Sequence, residues 1–246
     1  MDTPSVYEMV RHASMFLHQN GSCTEAEKAD LADWILQHQN RQQDFIFFPT
    51  LLERERGIHL FTGETARTKL LQNNAFELET LRLLALLQPE SPAVRQVCQT
   101  ANQRLFTRCF ASGCTVGECA HAQIALMRYL TALDFKAHQG RILRTLSILK
   151  EKRAPLGRWD AFPLYYTVLW LSELPADLAR EHLLFILSKA EELLKRRKNG
   201  SPVDTLRRNL LKTAIRPFQP QAASGGAARA PSRAASPGPP QQIPAR

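Results

Sequence analysis

Three cysteines and a histidine lie close together in the segment "RCFASGCTVGECAH". Cys109, Cys114 and Cys119 have C-x4-C-x4-C spacing, and His121 follows two residues after the last cysteine. Thiolate and imidazole groups are the ligands that zinc prefers, and a loop that runs into a helix can present them. The segment therefore predicts zinc as a cofactor, with Cys114, Cys119 and His121 as its ligands.

The same segment is open to other interpretations. Residues two apart on a helix diverge by about 200°, so Cys119 and His121 can share one ion only where the turn is irregular. Cys109 and Cys119 can instead be small buried hydrophobic residues, with His121 an ordinary residue at the start of a helix. A reactive or redox-active thiol is a third interpretation.

Charged residues inside apolar segments are a second group of candidates. Glu79 and Arg82 are three residues apart in "FELETLRLL", and Arg128 lies in "ALMRYL". If these segments line a cavity, the charges are polar anchors in an otherwise apolar pocket. Otherwise they are solvated or paired charges on a helix face. If the protein is an enzyme, we expect Glu79 and Asp160 to be catalytic.

Aromatic residues accompany these charges. Together with Arg82 and Arg128 they form the predicted ligand pocket, whose aromatic members are Tyr129, Trp159, Tyr165 and Tyr166. Such a wall can hold an extended isoprenoid or stabilise a cation over the ring faces. Aromatic residues at helical spacing are also typical of a plain hydrophobic core.

Helices must position nearly all of these residues. The apolar periodicity predicts an all-α fold with helices over 5–18, 24–39, 74–88, 92–109, 119–134, 138–152, 161–174, 178–197 and 203–214. Residues 41–73 carry no clear helical signal and are interpreted as a long cap across helix ends or as a lid over a ligand. Within them, "DFIFFPTLLERERGIHLF" predicts a short β-hairpin or an irregular loop.

Three of the predicted helices resemble one another. "NAFELETLRLLALLQ", "CAHAQIALMRYLTALD" and "DAFPLYYTVLWLSELP" begin 45 and 41 residues apart, and each follows a more charged amphipathic segment. A period of 40 to 45 residues with two helices per unit is typical of α-hairpin repeats. One hairpin cannot bury its own apolar face, so we expect neighbouring units to stack into a continuous core.

The segment "LSILKEKRAPLGRWDAFPLYYTVLWLSEL" resembles the repeating unit of terpenoid cyclases and protein prenyltransferase β subunits, and "RLFTRCFASGCTVGECAHAQIALMRYLTAL" fits the same unit more loosely. The resemblance implies an α/α toroid that binds an apolar or extended small molecule at its inner-helix surface, with or without catalysis. It also implies a zinc-ligand cysteine at the start of an inner helix. About four units are visible where a closed toroid has about six, so the alternatives are an open helical arc, a divergent toroid or half of an oligomeric one.

A different function fits the same repeats. A non-enzymatic helical-repeat scaffold would bind a protein partner, with the basic C-terminal segment contacting acidic partners. The net charge is +9, but residues 195–246 carry eleven basic residues and one acidic residue, so residues 1–194 have a net charge of −1. Nucleic-acid binding is therefore not expected, except through residues 195–216.

The organisation of the chain follows from composition. Residues 1–217 are predicted to form one helical-repeat domain, and residues 218–246, rich in Pro, Ala, Gly, Ser and Arg, a disordered tail. The five clustered cysteines do not suggest a secreted disulfide framework. Without a secretory signal or an apolar run long enough to span a membrane, we expect a cytoplasmic protein.

Overall fold

The computed structural model describes residues 5–19, 21–197 and 200–218. Within these ranges the fold is all-α, as predicted, with ten α-helices and one two-stranded antiparallel hairpin. No helix in this part of the chain is long and apolar enough to cross a membrane. The predicted disordered tail lies outside the described residues from residue 219 onward.

The elements follow one another in this order: α1 Val6–His18, α2 Glu25–Gln37, α3 Leu51–Arg56, α4 Lys69–Leu87, α5 Pro92–Leu105, a 3-10 helix Cys109–Ser112, α6 Cys119–Glu151, β1 Arg153–Ala154, β2 Arg158–Trp159, α7 Leu164–Ser172, α8 Ala176–Phe185, α9 Leu187–Lys195, α10 Pro202–Ile215 and a 3-10 helix Arg216–Phe218. A capping box formed by Thr24 and Glu27 begins α2. Proline takes the first helical position of α5 and α10, where its missing N–H is not needed.

Helix α6 is bent at Asp134, whose backbone is not helical (φ −163°, ψ 95°). The carboxylate of Asp134 accepts a hydrogen bond from the N–H of Ala137 at 3.0 Å, as an N-cap does. The two halves of α6 correspond to the separate helices predicted over 119–134 and 138–152. By contrast, the helix predicted over 178–197 is divided at Ile186 into α8 and α9.

The region 41–73 contains more helix than its sequence indicates. It includes all of α3 and the first turn of α4, which begins at Lys69 rather than at residue 74. The remaining loop makes only isolated β-bridges, so the hairpin prediction is wrong. Ile46, Phe47, Ile58 and Leu60 are buried in the core, so this region packs as a cap across the helices.

The three helices of similar sequence form the centre of the core. They are α4, the first half of α6, and α7, and most residues of each are buried. Helix α4 packs against α6, α7 packs against α6, and α1, α2, α8 and α10 cover their outer sides. Charged groups on these helices are therefore held where water is largely excluded.

We expect Leu81→Ala to lower the free energy of unfolding by about 2–5 kcal/mol, because Leu81 is fully buried on α4 and its loss leaves a cavity. Leu143→Ala on α6 is the matched control, since Leu143 is 43% exposed and its truncation should cost less than about 1 kcal/mol. Urea denaturation followed by circular dichroism measures both. Equal losses would contradict the central position of α4.

Candidate functional site

A buried arginine joins the three central helices. Arg128 of α6 donates through Nη1 to Glu79 of α4 at 2.7 Å. Its Nε and Nη2 donate to the two carboxylate oxygens of Glu173, which ends α7, at 3.1 and 2.8 Å. The side chain of Arg128 is only 1% exposed, so both carboxylates compensate a charge that has lost its water.

Two further side chains complete this ion-pair cluster, which we define as Glu79, Arg82, Arg128, Tyr166 and Glu173. Arg82 donates to Glu173 at 2.7 Å, and the Tyr166 hydroxyl donates to Glu79. The Arg128 guanidinium also lies over the ring of Tyr166, 4.9 Å from its centroid. The cluster therefore holds two positive and two negative charges.

The pKa values within the cluster follow from burial and pairing. Burial alone lowers the pKa of Arg128, but Glu173 and Glu79 outweigh burial and hold it well above its ordinary value. Burial raises the pKa of Glu173, but Arg128 and Arg82 reverse this and hold it below its ordinary value. Burial and the nearby Glu79 raise the pKa of Tyr166, which stays a neutral donor.

A pocket opens onto one side of the ion-pair cluster. Its volume is about 370 Å³, and Arg82, Arg128 and Glu173 line it. The other lining residues come from α1, α2, the 41–73 region and α4: Ser14, Leu17, His18, Lys28, Phe61 and Leu86. A volume of this size falls in the range of small-molecule sites, which combine apolar walls with a few polar groups.

Two polar groups of this pocket have hydrogen-bonding capacity that no protein atom uses. The Ser14 hydroxyl and the Nε of Arg82 are both buried without a partner among the described residues. Buried polar groups are nearly always paired with protein atoms, water or ligand. Both atoms belong to residues that line the pocket, and both are covered from solvent.

The other predicted pocket residues are dispersed. Tyr129 is buried on α6, and burial together with Cys98 raises its pKa. Trp159 packs against Phe185, with ring centroids 5.8 Å apart, and the Arg207 guanidinium lies 4.6 Å from the centroid of Tyr165. They do not line the pocket beside Arg128, so the predicted continuous aromatic wall is not formed there.

The two predicted catalytic acids differ in setting. Glu79 is 13% exposed and bonded to Arg128 and Tyr166. Asp160 is exposed after β2, and its N–H donates to the carbonyl of Lys152 at 2.9 Å. Only Glu79 belongs to the ion-pair cluster, and a catalytic role for either residue stays a prediction.

A second group of side chains, the thiol cluster, consists of Cys109, Cys114 and Cys119. Their three sulfur atoms all lie within 4.8 Å of one another, and the Cys109 and Cys119 sulfurs are 3.6 Å apart. All three cysteines are free. Cys109 is exposed, so the interpretation of this residue as a buried hydrophobic side chain is wrong.

Tight turns bring the three thiols together. The 3-10 helix that begins at Cys109 ends at Gly113, whose φ of +91° favours glycine. A Cβ atom at Gly113 would also meet Ile148 of α6 at 2.7 Å. Gly117 (φ +55°) then turns the chain into α6, which begins with Cys119.

The thiols of the cluster differ in acidity. A hydrogen bond from the Val116 backbone N–H lowers the pKa of Cys114, and the thiols of Cys119 and Cys109 lower it further. Burial and the two neighbouring thiols raise the pKa of Cys119 to about 12. In the metal-free cluster Cys114 is therefore the first of the two to become a thiolate.

In the part of the chain that the structure describes, His121 does not belong to the thiol cluster. Burial lowers its pKa, and the charges nearest to it are those of Glu118, Glu64 and Arg67. Glu118, just before Cys119, accepts hydrogen bonds from the N–H groups of Arg67 and Thr68 at 2.9 and 2.7 Å. It therefore ties the start of α4 to the start of α6.

Part of the basic segment 195–216 has partners within the fold. Arg208 donates to the carbonyl groups of Leu193, Leu194 and Arg196 at the end of α9, where positive charge is favoured. Arg207 donates to the carbonyl of Thr62 at 2.8 Å. These two arginines hold α10 against its neighbours.

No protein-family model, curated protein or solved structure matches this chain.

Sequence reasoning missed several members of both sites. Glu173 carried a usable signal, because it is an isolated acid at the end of the apolar segment "YYTVLWLSEL". Arg128 lies in another apolar segment, and a buried arginine needs an acidic partner of this kind. Ser14, His18 and Phe61 carried no comparable signal, since only the packing of α1 and the 41–73 region brings them to the pocket.

We expect Arg128→Met to lower the free energy of unfolding by about 3–5 kcal/mol, because it leaves Glu79 and Glu173 without their main partner. The control is Arg95→Met, which breaks an exposed pair with Glu90 and should cost less than about 1 kcal/mol. Urea denaturation at pH 7 compares them. A loss below about 1 kcal/mol in Arg128→Met would show that the pairing contributes little.

The depressed pKa of Glu173 makes stability depend on pH. Its ionised form stabilises the fold above the unfolded pKa, near 4.5, and this contribution is lost as the pH falls through the lower folded pKa. We expect Glu173→Gln to be less stable at pH 7 and to lose less stability than the wild type below pH 4.5. Glu90→Gln, at an exposed carboxylate, should follow the wild-type pH curve.

Proposed function

We propose that the protein binds a small molecule with an anionic, oxygen-rich end and an apolar body in the pocket beside the ion-pair cluster. The single observation that carries this proposal is a pocket of about 370 Å³ whose lining combines the guanidinium residues Arg82 and Arg128 with apolar side chains. A guanidinium N–H bonds best to carboxylate or phosphate oxygens.

The lining of the pocket supports both halves of such a ligand. Arg82, Arg128 and Lys28 contribute three positive charges and Glu173 one negative charge to the lining. Leu17, Leu86 and Phe61 supply apolar surface for the rest of the molecule. Glu79 and Glu25 offset part of this positive charge, because they pair with Arg128 and Lys28.

The resemblance to terpenoid cyclases and prenyltransferase β subunits agrees with this assignment. Arg82, Arg128 and Glu173 come from the three helices of similar sequence, and the segments that contain Arg128 and Glu173 are the two that resemble the repeating unit of that family. The pocket would then be the inner-helix site of a toroid-like protein, and an isoprenoid diphosphate combines an anionic end with an apolar chain. Catalysis is not part of the proposal, because the Glu79 carboxylate is already bonded to Arg128 and Tyr166.

Isothermal titration calorimetry with geranyl diphosphate tests the proposal, with inorganic pyrophosphate and geraniol as the two halves of the probe. We expect geranyl diphosphate to bind more tightly than either half. Arg82→Gln should weaken its binding by about 10- to 100-fold, the range for a lost charged hydrogen bond.

Arg95→Gln is the matched control, because Arg95 is exposed and outside the pocket. The affinity of this variant for geranyl diphosphate should equal that of the wild type. Absence of heat with all three probes, or equal affinity in Arg82→Gln, would overturn the proposal. That result would favour the alternative, a non-enzymatic helical scaffold for a protein partner.

A further inference from the structure

We propose that Cys109, Cys114 and Cys119 bind one zinc ion, with the fourth coordination position open to water or to a small-molecule ligand. This proposal does not depend on the ligand pocket, because it uses different residues. It also differs from the ligand set predicted from the sequence, since Cys109 replaces His121.

The separations between the sulfur atoms carry the argument. Zinc binds thiolates at about 2.3 Å in a tetrahedron, so two sulfur ligands of one ion lie about 3.8 Å apart. The sulfurs of Cys109 and Cys119 are 3.6 Å apart, and all three sulfurs lie within 4.8 Å of one another. Movements of less than about 1 Å would bring them to tetrahedral spacing.

Packing explains the position of only one of these thiols. Cys119 packs against the hydrophobic core, but Cys109 is exposed and Cys114 is half-buried, so core packing does not account for their approach to it. The separation of 3.6 Å is also far longer than the roughly 2.05 Å of a disulfide bond. A contact among three partly exposed free thiols is the arrangement that a soft metal ion requires.

The backbone around the cluster holds the three residues in place. Two glycine turns, at Gly113 and Gly117, direct Cys114 and Cys119 toward Cys109. The N–H of Cys114 donates to the carbonyl of Cys109 at 3.2 Å, which fixes the first turn. Cys119 is held by the first turn of α6, whose next residue, Ala120, is buried.

The number of ligands indicates an open site. No other histidine, cysteine or carboxylate joins these three thiols among the described residues. Structural zinc sites usually have four protein ligands, whereas three protein ligands and one exchangeable position are typical of sites that bind substrate or water. Cys109 is exposed, so an external ligand can reach the ion.

Metal titration of the full chain tests this proposal. The reduced protein is stripped with a chelator, and Zn²⁺ is added in competition with a chromophoric indicator. We expect one tightly bound Zn²⁺ per chain. Cys109→Ser should raise the dissociation constant by about 100-fold or more, because each ligand supplies a large share of the binding free energy.

Cobalt substitution separates loss of a ligand from loss of folding. In the wild type, Co²⁺ should give the absorption of a tetrahedral site. In Cys109→Ser the thiolate charge-transfer intensity should fall by about a third, since two of the three thiolates remain. Cys23→Ser is the matched control, because Cys23 lies outside the cluster, and it should behave as the wild type. Circular dichroism confirms that each variant is folded.

Two results would overturn the proposal. One is a folded, fully reduced wild-type protein that takes up less than one equivalent of Zn²⁺. The other is unchanged zinc affinity and Co²⁺ absorption in Cys109→Ser. Neither result bears on geranyl diphosphate binding, so the two proposals can fail separately.

Discussion

The burial of one guanidinium group constrains the whole centre of this protein. Arg128 has lost its water, and several kcal/mol of desolvation must be offset by carboxylates at hydrogen-bonding distance. The two carboxylates come from α4 and from the end of α7, so these helices can pack against α6 in one relative position only. The pocket beside the ion-pair cluster is lined by three of its members, Arg82, Arg128 and Glu173.

Carboxylates also fasten the 41–73 region to the helices. Glu77 accepts from the N–H of Ile46, and Glu64 from the N–H of Tyr166. Glu118 accepts from two N–H groups at the start of α4. The bonds to Glu77 and Glu118 satisfy backbone donors of the 41–73 region, and the bond to Glu64 satisfies a donor in the first turn of α7. The loop can therefore lack regular structure and still cover the core, and it presents Phe61 to the pocket.

The all-α fold could be predicted because helical periodicity and capping boxes are local signals, and the division of α6 at Asp134 was already visible in them. The extra helix α3 was missed because six residues give too short a periodic pattern. Arg82 and Arg128 could be singled out as charges in apolar segments, but their meeting with Glu173 is a long-range contact. The contact of the Cys109 sulfur with the other two thiols depends on two glycine turns, which spacing alone does not specify.

The two sites differ greatly in how much chain they require. The thiol cluster uses residues only 10 positions apart, so this segment can bring its sulfurs together while the rest of the protein is still being synthesised. The cluster around Arg128 joins residues 45 and 49 positions apart, and the Glu64 bond to Tyr166 spans 102 positions. A nascent chain that ends before Glu173 contains Arg128 with only one of its carboxylates. The packing of α4, α6 and α7 around Arg128 therefore needs the chain through Glu173.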